Sequence, residues 1–202
     1  MMIWLTLVSM VSALTTPTNA KVGELSKRTG CQWNLHQMNL AMLQADVALS
    51  SYVYPPVNFY PTNVTSASSP GLDLLALLLF EGNVPPECFV CPGSGNKAGS
   101  MSNVAEWTDY ILVSVPWNQP GGTGAVVWSS ADNIPWIICP PINHKDKGGY
   151  VLDADQSTRW RDAAGIERTI SNACSLALAG RARVTVSKSL TERSKGRYKT
   201  AP

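Results

Sequence analysis

The stretch Lys27-Arg28-Thr29-Gly30-Cys31-Gln32-Trp33-Asn34-Leu35-His36-Gln37-Met38-Asn39-Leu40-Ala41-Met42 sets the architecture of this chain, because its apolar residues return with helical spacing. Leu25, Leu35, Met38, Met42 and Leu43, with Trp33 and Leu40 beside them, fall on overlapping stripes among Lys27, Arg28, Gln32, His36, Gln37 and Gln44. The pattern predicts an amphipathic helix over residues 21–48. Tyr54-Pro55-Pro56 then forbids its continuation, since proline lacks an N–H and clashes with the preceding turn.

On the N-terminal side, residues 1–14 are almost wholly apolar and run into Thr15-Thr16-Pro17. That run is shorter than the roughly 20 residues a membrane span requires. Val11-Ser12-Ala13 and Thr18-Asn19-Ala20 each supply the small residues of a signal-peptidase site, although no Lys or Arg precedes the run. The expectation is export.

On the C-terminal side, residues 52–71 are rich in Pro, Ser, Thr and Asn and read as loop, and residues 72–80 as a short buried helix. Residues 84–96, with Cys88 and Cys91-Pro92, read as a short extended piece. Strands are expected at 110–115, 125–128 and 136–138, and a hairpin from 149–152 with 158–160 that puts Asp155 at the turn and Trp160 on the body. No βα alternation follows residue 50, so the fold class is α+β: a long N-terminal helix packed on a small antiparallel sheet with long irregular loops. The chain divides into an apolar segment at 1–20, the helix and globular domain at 21–180, and a basic tail at 181–202, where seven Lys or Arg stand against Glu192 alone.

With 202 residues, 45% hydrophobic and 15% charged, the chain is long enough for one packed domain and too apolar for a disordered polyelectrolyte. A net charge of +2 points to no nucleic-acid partner. Neither a nucleophile elbow nor a His-Glu-x-x-His helix is present, and Gly121-Gly122-Thr123-Gly124 lacks the lysine of a phosphate loop. No small-molecule substrate is indicated, and the reading is non-enzymatic.

Two residue sets offer ligands for an ion. Cys88, Cys91, Cys139 and His144 make a Cys3His set permissible for structural zinc. The same cysteines, five in the chain with Cys31 and Cys174, also allow Cys91–Cys139 or Cys88–Cys91 disulfides in an exported protein, or simple burial. Pro92-Gly93 after the Cys88-x-x-Cys91 pair leaves no helix N-terminus to activate a redox thiolate. Asp153 and Asp155 share one face of a strand and suit calcium, and a hairpin's polar face accounts for them equally.

Residues 27–42 resemble the basic-Thr-x-Cys-x-x-Asn-Leu-x-Gln-x-x-Leu-Ala-Met stretch of type IV pilin-like proteins, the G-type pseudopilins of type II secretion in their planctomycete and verrucomicrobial form. Further landmarks follow in the family's order over residues 17–160: Tyr54-Pro55-Pro56, then Gly82-Asn83-Val84 before Phe89-Val90-Cys91-Pro92, then Asn143-His144, Gly148-Gly149, Val151-Leu152, Ala154-Asp155 and Trp160. The chain departs from the family in opening inside the apolar helix without a prepilin-peptidase site, and in carrying Gln156 where the family's turn has glycine. The resemblance implies a pilin-like fold, other pilin-like subunits as partners through the N-terminal helix, the cytoplasmic membrane as support, and a place in the cell envelope. The alternative is an exported binding module with a cleavable signal peptide, secreted or periplasmic.

Overall fold

The computed structural model describes residues 22–41, 84–114, 135–153, 155–179 and 183–200. Helix α1 occupies residues 22–41 and buries Cys31, Leu35, Met38 and Ala41, which recur every three or four residues along one side. Each large side chain so buried stabilises the fold by about 2 kcal/mol. The expected helix is therefore present through Leu35 and Leu40, while its continuation over 42–48 lies outside the described residues, as do the apolar segment at 1–20, the helix at 72–80 and the strand at 125–128.

Among the described residues one antiparallel sheet is formed by β1 (Ile111–Ser114), β2 (Pro135–Ile138), β3 (Gly148–Asp153), β4 (Thr158–Asp162) and β5 (Arg183–Thr185), in the order β4-β3-β2-β1-β5. The fold class is α+β. Side chains alternate across the sheet with period two. Leu112, Ile137 and Leu152 join the core under α1, while Ile111, Val113, Ile138, Val151 and Val184 face a second core on the opposite side.

That second face is covered by α3 (Ala163–Leu178) and α4 (Lys188–Arg193); α2 (Val104–Trp107) is a single turn before β1. Helix α3 was not foreseen. Its start is set by Asp162, whose Oδ1 accepts the Gly165 N–H at 2.7 Å, and its inner stripe is Ile166, Thr169, Ile170, Ala173 and Ala177. Ser187 caps α4 by accepting the Leu190 N–H at 3.1 Å and donates its own hydroxyl to the Thr108 carbonyl at 2.5 Å. The segment read as a basic tail is thus part of the body: β5 pairs with β1, and Leu190 and Tyr198 are buried. Of its described cations Lys188, Lys195, Arg197 and Lys199 are exposed, while Arg193 reaches in to the buried Asp109.

Residues 84–96, read as extended, carry a 3-10 turn at Pro86–Phe89 instead. Proline at the first position of that turn suits its fixed φ. The expected hairpin of β3 and β4 forms, with Tyr150 opposite Trp160. Asp155 lies in its turn, where Oδ1 accepts the Ser157 N–H at 3.0 Å. Gln156 adopts φ 66°, a left-handed conformation that glycine reaches at no steric cost.

Candidate metal centre

Strands β1 and β2 run antiparallel with Ile111 opposite Ile138, so the start of one and the end of the other meet at the same end of the sheet. Tyr110 and Cys139, the neighbouring residues in sequence, are therefore delivered together beneath α1. Pro140 and Pro141 turn the chain into a 3-10 helix at Pro141–His144, which brings the His144 ring back toward the sheet. Cys31 comes down from α1, and Cys91 arrives from the segment after the Pro86–Phe89 turn.

The thiol sulfurs of Cys31, Cys91 and Cys139 and a ring nitrogen of His144 all lie within 4.8 Å of one another. Cys91 Sγ is 3.5 Å from His144 Nε2. The three cysteines have no solvent exposure and His144 has 1%. All five cysteines are free thiols.

Each sulfur of the group faces a donor from outside it. Tyr110 donates its hydroxyl to Cys31 Sγ at 3.7 Å, the Gly93 N–H points at Cys91 Sγ at 3.4 Å, and the Asn143 amide donates to Cys139 Sγ at 3.6 Å. Donors aimed at sulfur favour the anion over the thiol. Hydrogen bonds from Cys139 and Cys31 hold the Cys91 thiol far below its ordinary range, with His144 adding to the pull, whereas burial pushes Cys31 and Cys139 well above it.

The loop that presents Cys91 is held tightly. Its turn is closed by Ser94 N–H to the Cys91 carbonyl at 2.9 Å, and a Cβ at Gly93 would lie 2.1 Å from the Asn143 carbonyl oxygen. Only glycine lets the loop approach the His144 segment so closely. Gly30, in α1, lies against the Pro92 ring in the same way, where an added Cβ would stand 3.0 Å from Pro92 Cγ. Beneath the loop, buried Asp109 accepts the Cys91 N–H at 2.9 Å and the Asn96 amide at 2.7 Å, and it bonds Ser94 and Arg193. Burial raises the Asp109 carboxyl, against these bonds.

A second ring of groups surrounds His144. Its Nδ1 is 3.9 Å from Glu24 Oε1, and Arg28 reaches the same carboxylate at 3.6 Å. Trp160 meets the His144 ring edge-on at 5.3 Å and receives the Arg28 guanidinium 4.1 Å from its own centroid. Trp160 accordingly sits on the body as expected.

Of the expected Cys3His set, the structure brings together Cys91, Cys139 and His144. Cys88 is not a member of the group, and Cys31 stands in the fourth place. The sequence signal for Cys31 was its position on the apolar side of the helix, four residues before Leu35. Asp153 and Asp155 are not gathered into a ligand group. Arg161 takes Asp153 Oδ2 at 2.8 Å, and Arg159 takes Asp155 Oδ2 at 2.8 Å, so each carboxylate already has a cation beside it.

In comparisons with known proteins, no family model matches this chain, and no curated protein or solved structure gives a significant match.

Proposed function

We propose that the chain is a non-enzymatic assembly component of a type II secretion or type IV pilus-like system, in which α1 packs against the helices of other pilin-like subunits at the cytoplasmic membrane. The observation that carries this reading is the outer side of α1. Val22, Leu25, Trp33 and Leu40 are 60%, 66%, 60% and 40% exposed, and their spacing puts them on one stripe opposite the buried Cys31, Leu35 and Met38. The helix therefore shows exposed apolar side chains opposite its buried side, with Thr29 and His36 among them, a surface that would suit a neighbouring helix. In sequence it follows the apolar run at 1–14, which suits a helix that starts at a membrane. The helix over residues 22–41 and the antiparallel sheet, an α+β arrangement, are compatible with this role. The buried sulfurs, closed to solvent, favour a structural centre over a catalytic one.

The test is a photo-reactive amino acid at Trp33 in the full chain, expressed in a cell with a type II secretion or pilus system. Cross-links to pilin-like helices, lost on Leu25→Ser, support the reading. Absence of any such cross-link from a folded, exported protein overturns it. N-terminal sequencing of the mature chain separates the alternative: an N-terminus at Leu14 or Lys21 marks a cleaved signal peptide and a free exported binding module.

A further inference from the structure

We propose that Cys31, Cys91, Cys139 and His144 bind one zinc ion, which fastens α1 to the end of the sheet. The inference stands independently of the assembly reading, since it rests on the four side chains alone.

Geometry is the first support. A tetrahedral ion with Zn–S of about 2.3 Å and Zn–N of about 2.0 Å sets its sulfur and nitrogen ligands about 3.5 Å apart, and two sulfurs about 3.8 Å apart. Cys91 Sγ and His144 Nε2 are separated by 3.5 Å, and the whole group spans no more than 4.8 Å. One ion fits between ligands so close. An iron–sulfur cluster holds its ligands farther apart, because several atoms stand between them.

The donor set is the second. Three soft thiolates and an imidazole suit zinc and exclude magnesium and calcium, which prefer oxygen. A disulfide would use two of the three sulfurs and leave the third against an imidazole, with its outside donor serving no purpose. All three sulfurs receive such a donor here, from Tyr110, Gly93 and Asn143. A zinc-bound thiolate keeps negative charge that accepts these bonds. Glu24 Oε1 lies 3.9 Å from His144 Nδ1, too far for a hydrogen bond but on the side from which a carboxylate orients a metal-bound imidazole, and Arg28 lies 3.6 Å from that carboxylate one turn along the same helix.

The ligands' origins give the consequence. Cys31 and Cys91 are separated by 60 residues in sequence, and Cys91 and Cys139 by 48, so the ion would join α1, the Pro92-Gly93 loop and the sheet end in one bond network. Four protein ligands and no solvent access describe a structural ion with no open position for a substrate. Binding releases the protons of the thiols that ionise, so uptake is accompanied by acidification in unbuffered solution.

The experiment uses the full chain, purified under reducing conditions without chelator. Expected is one zinc per chain by elemental analysis and, after exchange with cobalt(II), the intense visible bands of tetrahedral cobalt with thiolate-to-cobalt charge transfer in the near ultraviolet. Cys31→Ser should lose these bands or weaken binding by tenfold or more, Cys88→Ser should keep them unchanged, and His144→Cys should keep them shifted toward an all-sulfur spectrum. X-ray absorption of the wild-type zinc form reads the ligand set without any variant, so misfolding of a mutant leaves the question decidable. A chain that is folded, reduced and metal-free in equimolar zinc overturns the proposal, as does iron at the site, a native Cys91–Cys139 disulfide, or loss of the cobalt bands on Cys88→Ser with retention on Cys31→Ser.

Discussion

The carboxylate of Asp109 holds the backbone of Cys91 in place: Oδ2 accepts the Cys91 N–H at 2.9 Å from a side chain with no exposure to solvent. The other oxygen takes Asn96 and Arg193, so one buried charge ties the cysteine loop to α4. Asp109→Ala removes the partner of a buried donor and of a cation, a change that costs about 3 kcal/mol where the remaining charge can still reach some water. Arg193 is 24% exposed and has that escape. Asp109→Asn fills the same space and keeps one acceptor oxygen for the Cys91 N–H, but sets an amide donor against Asn96 and Arg193, so it should lose part of that stability and less than the truncation. Denaturant unfolding of the two variants checks the order, and equal stabilities for wild type and Asp109→Ala would refute the role given to this residue.

Gly93→Ala should cost at least 2 kcal/mol, about the scale of overpacking a rigid site. The added methyl meets the Asn143 carbonyl oxygen at 2.1 Å and His144 Nδ1 at 3.3 Å, and backbone on both sides has little room to yield. Gly23→Ala, with nothing within 4 Å of its Cβ, is the control and should be neutral or slightly stabilising, since alanine favours helix. Thermal melting of the pair reads the difference.

Gln156→Gly should stabilise the fold by about 1 kcal/mol. Gln156 pays for a left-handed φ of 66° with a side chain that is exposed, and the hydrogen bond from its N–H to the Asp153 carbonyl at 2.9 Å survives the change. The gain is partly offset by the freedom glycine adds to the unfolded chain. A lower unfolding midpoint for the glycine variant would show that the side chain holds the turn in a way the backbone does not.

Leu190→Ala should destabilise by about 3 kcal/mol, the usual loss for a fully buried leucine. Leu190 is 0% exposed and packs with Val184, Val186 and Tyr198 on the far face of the sheet. Were the C-terminal segment a solvated tail, the substitution would be silent. Comparison of denaturation midpoints with Lys188→Ala, at a solvent-facing position of the same helix, separates the two cases.

How far the sequence could be read varied with how local the cause was. The amphipathic helix around Leu35 and Met38 and the hairpin that pairs Tyr150 with Trp160 were legible, because each depends on a spacing within one or two neighbouring segments. Gln156 in a glycine's place announced a costly turn, and the turn is there. Helix α3 went unread although its signals were present in Asp162 and the Ile166, Ile170, Ala173 stripe; short runs of small residues such as Ala163 and Ala164 weaken an apolar period. The cations of the last twenty residues drew attention from Val184, Leu190 and Tyr198, which alternate with them and point inward.

From the sequence alone came the helix, the antiparallel α+β class and three members of the buried Cys3His group, Cys91, Cys139 and His144. Only the tertiary structure decided the fourth. Cys88 and Cys91 are neighbours along the chain, yet the 3-10 turn at Pro86–Phe89 leaves Cys88 outside the group, while α1 crossing the sheet end lowers Cys31 into it from 60 residues away. Spacing along a chain reports which side chains share a local face; which faces meet is set by the packing of the whole core, and a ligand set drawn from a helix, a loop and a strand end exists only once that packing is complete.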